Sequence, residues 1–180
     1  MSSADDDFGP EHRALARLIR ERCRLTGNFT LRSGRESSTY FDKYLFEADP
    51  RLLAQVATLA ARLIPKDTEV LAGLELGGVP VATALSLATG LPAAFVRKEA
   101  KKYGTAQLAE GAQIAGRRTL VVEDVITTGG QVASSAADLR ARWALVEAVL
   151  CVIDRSDGAH LQLDAMGCKV ISLLTEEELG

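Results

Sequence analysis

The most informative segment for predicting the fold is Thr119-Leu-Val-Val-Glu-Asp-Val-Ile-Thr-Thr-Gly-Gly-Gln131. It opens with apolar or β-branched residues, which are typical of a buried parallel strand. Two carboxylates, Glu123 and Asp124, come where this strand is expected to end, and residues 127–130 then turn the chain into a helix. We therefore predict a strand over 119–123 and a helix over 131–142.

The chemistry of this junction suits a sugar phosphate. Ligands of an open α/β sheet bind beyond the carboxyl ends of its strands. Backbone N–H groups at the start of a helix bind anions. The junction thus places carboxylates, which can hold hydroxyls or a metal, beside a cradle for a phosphate. The alternative is an ordinary strand–turn–helix junction with an acidic helix cap.

The same residues resemble the phosphoribosyl-pyrophosphate (PRPP) motif of type I phosphoribosyltransferases, in which two acids follow an apolar strand and precede a Thr-rich glycine turn. The resemblance implies that Glu123 and Asp124 hold the ribose hydroxyls and that 127–130 hold the 5′-phosphate. The PRPP contacts implied on the turn are Val125, Ile126, Thr127, Thr128, Gly129, Gly130 and Gln131.

The composition predicts one globular domain. The chain has 180 residues, of which 47% are hydrophobic and 25% charged, with a formal charge of −3. This charge argues against general nucleic-acid binding, and the apolar stretches are too short to cross a membrane. Three cysteines without metal-ligand spacing predict reduced structural thiols, and two histidines make a His-based zinc site improbable. We expect a cytoplasmic protein with a flexible tail over 1–9 and one domain over 10–180.

Strand and helix patterns alternate along most of this domain, which predicts an α/β fold with a doubly wound, mostly parallel sheet flanked by helices. A small N-terminal hood is expected within 10–45, with short strands or a hairpin over 28–42. The helices are predicted over 10–25 and 50–63 and from Pro80 to Gly90, and the remaining strands over 69–73, 93–96, 145–153 and 170–174.

A cluster of cations opens the segment 97–111, which we predict to be a long, mobile loop. Four positive residues lie within its first six positions, directly after a strand: Arg97, Lys98, Lys101 and Lys102. A charge run is often only a solvated surface. At this rim of the sheet, however, a loop that closes over the substrate would bring cations to a pyrophosphate leaving group.

The start of this loop resembles the catalytic loop of orotate phosphoribosyltransferases, Arg-Lys-Glu-Ala-Lys-x-His/Tyr-Gly. The resemblance implies that Arg97, Lys98, Lys101 and Tyr103 contact PRPP, with Lys101 acting across a homodimer interface. The catalytic residues that it implies are Lys101, Arg97 and Asp124. Tyr103 stands where many members have His, although Tyr also occurs there. The proton transfer ascribed to that His is therefore not carried over to this chain, whereas a phenol can still hydrogen bond.

The base site is implied by two other segments. Residues 29–42 resemble the stretch that lies over the bound base in this family, which assigns Arg32, Tyr40 and Phe41 to orotate. Packing within the hood is an equally good interpretation of each aromatic residue. Arg155 ends a strand and, with Thr127, is predicted to fix orotate, since a guanidinium binds a carboxylate at two points. A surface salt bridge with Asp154 or Asp157 is the alternative for Arg155.

Residues 73–80 occupy the position of the family's pyrophosphate loop, which often contains a cis or strained peptide. Many members carry Lys where this chain has Gly77. We therefore expect Glu75 and the backbone N–H groups of Gly77 and Gly78 to hold the diphosphate, together with Mg²⁺ that is bound mainly by PRPP.

The resemblance implies an enzyme that joins orotate to PRPP and gives orotidine 5′-phosphate and pyrophosphate in pyrimidine biosynthesis. Its expected partners are these two small molecules and a second copy of the chain. Two alternatives stay open at this point. A purine phosphoribosyltransferase would keep 119–131 without needing a carboxylate-binding Arg155, and a PRPP-sensing regulator would bind nucleic acid.

Overall fold

The computed structural model describes residues 5–30, 34–98, 108–156, 158 and 160–180. Its helices are α1 (Asp5–Cys23), α2 (Tyr44–Glu47), α3 (Pro50–Ala60), α4 (Gly78–Thr89), α5 (Gly130–Arg140), α6 (Leu161–Ala165) and α7 (Glu176–Leu179). Its strands are β1 (Arg24–Thr30), β2 (Glu36–Phe41), β3 (Val70–Leu74), β4 (Ala93–Val96), β5 (Ala109–Gly111), β6 (Thr119–Ile126), β7 (Ala148–Asp154) and β8 (Lys169–Thr175).

Six strands form the main sheet, in the order β5-β4-β3-β6-β7-β8. Neighbouring strands from β4 to β8 run parallel, and only β5 pairs antiparallel, with its Glu110 opposite Phe95. The predicted mostly parallel sheet is confirmed. The strand β5 lies within the segment predicted to be a loop, because three residues are too few to show a strand period.

Apolar layers cover both faces of this sheet. Alternate residues of β6 point to opposite faces: Leu120 and Val122 join the layer formed with α1, α3 and α4, while Val121 joins the layer formed with α5 and α6. The predicted doubly wound architecture is therefore present, and its core positions β6 rigidly between two packed layers.

The predicted helix boundaries hold within a few residues. Asp49 caps α3 by accepting hydrogen bonds from the N–H groups of Arg51 and Leu52, and Gly90 ends α4 with a φ of 77°. The helix α1 is interrupted at Gly9, with a φ of 53°, next to the predicted start. It ends at Cys23 instead of continuing to 25, because the chain pairs as β1 from Arg24 onward.

The hood is a hairpin of β1 and β2, as predicted, with Leu25 opposite Tyr40. The rings of Phe29 and Tyr40 lie 5.5 Å apart. Residues 31–33, and with them the predicted orotate contact Arg32, lie outside the described residues. The short helix α2 then connects the hood to α3, and its Phe46 is fully buried.

The three cysteines are free and buried, which agrees with the prediction of reduced structural thiols. Burial raises the pKa of Cys23 to about 11, so the thiolate needed for reaction is scarce near neutral pH. In the described part of the chain, no helix combines the length and the apolar character that crossing a bilayer requires.

Candidate active site

The predicted site residues meet at the carboxyl edge of the sheet. Glu75 follows β3, Arg97 follows β4, Asp124 lies near the end of β6 and Arg155 follows β7. These four strands are consecutive neighbours. Because parallel strands end at the same edge, their side chains converge there. Hydrogen bonds join these ends: Glu75 donates its backbone N–H to the carbonyl of Val96, and Arg155 donates its N–H to that of Ile126.

The strand β6 continues to Ile126, three residues beyond the predicted end. The extension arises because Val125 and Ile126 pair with Ile153 and Asp154 of β7, a tertiary contact that a sequence period does not show. Glu123 and Asp124 therefore lie inside the strand, and Asp124 is fully buried.

The turn after β6 has the geometry of an anion site. Gly129 caps α5 with a φ of 71°, in the left-handed region that favours glycine. No side chain caps this helix start, so its first N–H groups are available to a ligand. Thr127 and Thr128 are exposed beside them, as is Gln131. The turn thus has free N–H groups where the phosphate was predicted, and its binding of phosphate stays a prediction.

The acidic pair is part of a larger buried cluster. The Nζ atom of Lys43 lies 2.5 Å from Oδ2 of Asp124, and the carboxyl group of Glu47 lies beside the same acid. Burial alone would raise the pKa of Asp124, but the hydrogen bonds with Glu123, Glu47 and Lys43 lower it to about 2. Asp124 is therefore ionised at neutral pH.

Its two acidic neighbours are neutral instead. Burial and the hydrogen bonds to Asp124 raise the pKa of Glu47 and that of Glu123 to about 9. Apart from the ion pair between Oδ2 of Asp124 and Lys43, neither this oxygen nor the buried Oε1 of Glu47 has a hydrogen-bond partner among the described residues. A proton carried by Glu47 gives the two acids a donor to share. Three acids and one lysine thus carry a net charge near zero, which lowers the repulsion that an anionic ligand would meet.

The loop after β3 fits tightly against this cluster. A Cβ atom on Gly77 would lie 1.8 Å from Oδ2 of Asp124 and 2.8 Å from Oε1 of Glu47. A side chain at this position would therefore require the carboxylate of Asp124 to move. The peptide bond between Glu75 and Leu76 is cis. Oε1 of Glu75 accepts a hydrogen bond of 2.6 Å from the backbone N–H of Lys98.

The predicted orotate contacts Arg155 and Phe41 lie together, with the guanidinium carbon 5.5 Å from the ring centroid. Tyr40 is 44% exposed and packs on Phe29. Successive residues of a strand point to opposite faces, so only one member of the adjacent pair Tyr40 and Phe41 faces Arg155. Phe41 is the one that the structure brings to the site.

Arg155 forms an ion pair, although not with either of the expected neighbours. Its Nε and Nη2 atoms bind the two carboxylate oxygens of Glu176, which follows β8. Asp154 is engaged elsewhere: its Oδ1 accepts a hydrogen bond from Ser156, and its Oδ2 lies 2.8 Å from Nε2 of His160. Asp157 lies outside the described residues.

Part of the predicted site is not described by the structure. Lys101 and Tyr103 belong to residues 99–107, which lie outside the described ranges, so their roles stay predictions. Conversely, Lys43 and Glu47 were not among the predicted site residues. Their spacing of four residues could have indicated them, because it places both on one side of a helical turn directly after the hood strand.

Comparison with known proteins identifies the family. Residues 46–171 match the Phosphoribosyl transferase domain. The orotate phosphoribosyltransferase of a Nocardioides species is 56% identical over 157 residues, which cover 87% of this chain and 88% of the relative. That of the archaeon Methanocella arvoryzae is 42% identical over 153 residues, covering 85% and 87%.

Solved structures of the same family resemble this chain in fold. The Mycobacterium tuberculosis orotate phosphoribosyltransferase in complex with PRPP has a TM-score of 0.81 and 34% identity, covering 95% of this chain and 99% of that one. The extent of these matches confirms the predicted fold and family, and they favour neither a purine enzyme nor a nucleic-acid-binding regulator. This chain belongs to the orotate phosphoribosyltransferases.

Proposed function

We propose that the carboxyl edge of the sheet binds PRPP and orotate side by side, with each predicted residue in the role that its position supports. As a member of this family, the chain is a transferase that moves the ribose 5-phosphate group of PRPP to orotate. The products are orotidine 5′-phosphate and pyrophosphate, a step of pyrimidine biosynthesis. The observation that carries the assignment of roles is the convergence of Glu75, Asp124 and Arg155 on neighbouring strand ends.

Asp124 and Glu123 bind the ribose. An ionised Asp124 accepts hydrogen bonds from the ribose hydroxyls, whereas a neutral Glu123 can both donate and accept. The turn 127–130 holds the 5′-phosphate through its N–H groups. With both ends of the ribose phosphate held, its C1 atom is positioned against the base, and this positioning lowers the barrier to reaction.

The reaction breaks the bond between C1 and the pyrophosphate oxygen, and the electron pair leaves with pyrophosphate. The ribose then has oxocarbenium character, N1 of orotate supplies the electron pair of the new bond, and the proton of N1 passes to pyrophosphate or water. A negative Asp124 near the ribose stabilises the positive charge that develops. Arg97, Lys98 and Lys101 neutralise pyrophosphate, each contact being worth about 4 kcal/mol before desolvation.

Orotate is held by its carboxylate and by its ring. Arg155 binds the carboxylate through two N–H groups, Thr127 hydrogen bonds the base, and Phe41 packs against the ring. Arg32 and Tyr40 stay proposed as further orotate contacts, although Tyr40 packs on Phe29 and lies on the face of β2 opposite to Phe41. The Arg155–Phe41 contact supports this arrangement, because it places a cation and an aromatic face at one point of the rim.

Mg²⁺ is expected to arrive with PRPP. The described residues hold no group of three or more metal-binding side chains, but Mg²⁺ commonly binds one or two carboxylates together with substrate phosphates. Glu75 and Asp124 are the carboxylates that we propose for that part. When bound, the metal neutralises the diphosphate and so assists its departure.

We also propose that the enzyme is a homodimer in the cytoplasm, with the loop 97–111 reaching into the partner's site. The resemblance of residues 97–104 to the family's catalytic loop supports the dimer. The free, buried cysteines fit a reducing compartment.

Base specificity tests this proposal. Turnover with PRPP and Mg²⁺ is compared for orotate, uracil, adenine and hypoxanthine, and only orotate should react efficiently. Arg155→Lys keeps the charge but loses the planar fork, so it should raise KM for orotate about tenfold while leaving KM for PRPP unchanged. An unchanged KM for orotate would remove Arg155 from the base site.

Lys101→Ala tests the loop. The substitution should lower kcat by roughly a hundredfold or more, with little change in PRPP binding, because the charge of Lys101 acts mainly on the departing pyrophosphate. Lys66→Ala, which removes a lysine from the loop that precedes β3, is the matched control. Near-normal turnover of Lys101→Ala would exclude the loop from the mechanism.

A further inference from the structure

Lys43 brings a positive charge to the site from the hood side. It directly precedes α2, which the buried side chain of Phe46 anchors in the core. Its Nζ atom lies 2.5 Å from Oδ2 of Asp124. Asp124 is fully buried, whereas 33% of the Lys43 side chain is accessible. The side chain of Lys43 therefore connects the buried acid with solvent at the carboxyl edge of the sheet.

This group has hydrogen-bonding capacity left for a ligand. An ammonium has three N–H donors and no acceptor, and the contact with Asp124 uses one donor. The ring of Tyr44 lies 5.3 Å from Nζ and packs against the charge. Because a third of the side chain is accessible, an anion entering the pocket can accept from the remaining donors.

The loop after β3, residues 75–78, also approaches Oδ2 of Asp124. Oδ2 of Asp124, which binds Lys43, is also the atom that a side chain on Gly77 would strike. The ammonium and the backbone of Gly77 therefore adjoin one oxygen. Residues 75–78 include no cation of their own, so a diphosphate held by their N–H groups lies next to Lys43.

We propose that Lys43 binds the diphosphate of PRPP and the product pyrophosphate, in addition to its ion pair with Asp124. This inference rests on the proposed function, in which residues 75–78 hold the diphosphate. It adds a cation that comes from the hood and that neither the glycine turn nor the loop 97–111 supplies. A lysine suits the task because its point charge adapts to both the acid and the phosphate.

Calorimetric titration with pyrophosphate and Mg²⁺ tests the inference without turnover. Lys43→Gln removes the charge but keeps an N–H donor for Asp124, so the buried acid stays paired. We expect roughly ten- to a hundredfold weaker pyrophosphate binding, as for loss of a charged hydrogen bond. Lys43→Arg should retain most of the affinity. Lys169→Gln, the same change at the exposed start of β8, should bind like the wild type.

A second ligand shows whether Lys43 binds the diphosphate directly or only holds Asp124 in place. Orotidine 5′-phosphate contains the ribose but no diphosphate, so Lys43→Gln should bind it within about threefold of the wild type. Equal loss for both ligands, or unchanged pyrophosphate binding, would overturn the role of Lys43. Failure of the wild type to bind pyrophosphate would instead overturn the proposed function together with this inference.

A further measurement uses the wild-type protein, so it can be made even if Lys43→Gln does not fold. Reductive methylation of lysines is followed by peptide mass spectrometry with and without pyrophosphate and Mg²⁺. Pyrophosphate should protect Lys43 at least several-fold while leaving Lys169 unprotected, and equal labelling of Lys43 in both conditions would contradict the proposal.

Discussion

The guanidinium of Arg155 and the carboxylate of Glu176 form a two-point ion pair between the ends of β7 and β8. The pair occupies the Nε–Nη2 edge of the guanidinium. The proposed ligand of Arg155 is itself a carboxylate with the same two-oxygen geometry. Glu176 therefore occupies, in the unliganded protein, donors that orotate requires.

Removing this competitor should strengthen orotate binding. Glu176→Gln loses the negative charge, so we expect KM for orotate to fall about three- to tenfold, in keeping with the modest strength of exposed ion pairs. KM for PRPP should not change. Steady-state kinetics with each substrate varied in turn measures both constants, and Glu177→Gln on the same short helix serves as the control. A rise in KM for orotate would mean that Glu176 orients Arg155 instead of competing for it.

A side chain at Gly77 should be strongly unfavourable. The Cβ atom of Gly77→Ala would overlap Oδ2 of Asp124, which is fully buried and paired with Lys43. We expect a loss of about 1–3 kcal/mol of unfolding free energy and a large fall in kcat/KM for PRPP. Urea unfolding measures the first and initial rates the second.

Gly27→Ala is the control for this substitution. Its Cβ would meet only the ring of Phe29, at 3.3 Å, and that ring lies in the hood, where a small shift can relieve the contact. A Gly77→Ala protein as stable and active as Gly27→Ala would show that the loop and Asp124 separate easily.

The buried acids should make stability depend on pH. Burial and the hydrogen bond to Asp124 raise the pKa of Glu47 from 4.5 to about 9. The folded protein therefore binds more protons than the unfolded chain between these values, and this contribution to stability is lost as pH rises through about 9. The free energy of unfolding should thus fall from pH 5.5 to pH 8.5, by up to about 1.4 kcal/mol per pH unit for each such group.

Glu47→Gln checks the origin of that slope. Glutamine does not titrate and can still donate to Asp124, so the variant should lose a substantial part of the dependence, while Glu123 retains the rest. The exposed substitution Glu177→Gln should leave the slope unchanged. If Glu47→Gln shows the wild-type slope in urea unfolding across this range, Glu47 is ionised in the folded protein.

Mixed dimers test whether the loop acts in the partner's site. Lys101→Ala and Asp124→Asn should each inactivate their own homodimer. In a mixed dimer, one site combines an intact Asp124 with an intact Lys101 from the partner, so an equimolar mixture should recover roughly a quarter of the wild-type rate. Activity after co-refolding measures this, and light scattering checks the dimer. No recovery, with dimers present, would place Lys101 in the site of its own chain.

Most of the architecture was predictable from local patterns. The apolar run at 119–122, Asp49 before Pro50 and Gly90 after a helix each predicted an element that the structure contains, because burial, capping and glycine conformation act over a few residues. The strand β5 and the last three residues of β6 were missed. Both depend on hydrogen bonds to a neighbouring strand that is distant in sequence.

The fold class, the glycine turn and the position of the acidic pair beside it could be inferred from the sequence alone, since they are set by contiguous residues whose chemistry is local. Three other features are visible only in the tertiary structure. Lys43 and Glu47 lie against Asp124, Gly77 leaves no room for a side chain, and Glu176 pairs with Arg155. These contacts join residues separated by between 21 and 81 positions. Their charges become significant only when folding removes water from between them, because a buried carboxylate must find a partner or a proton.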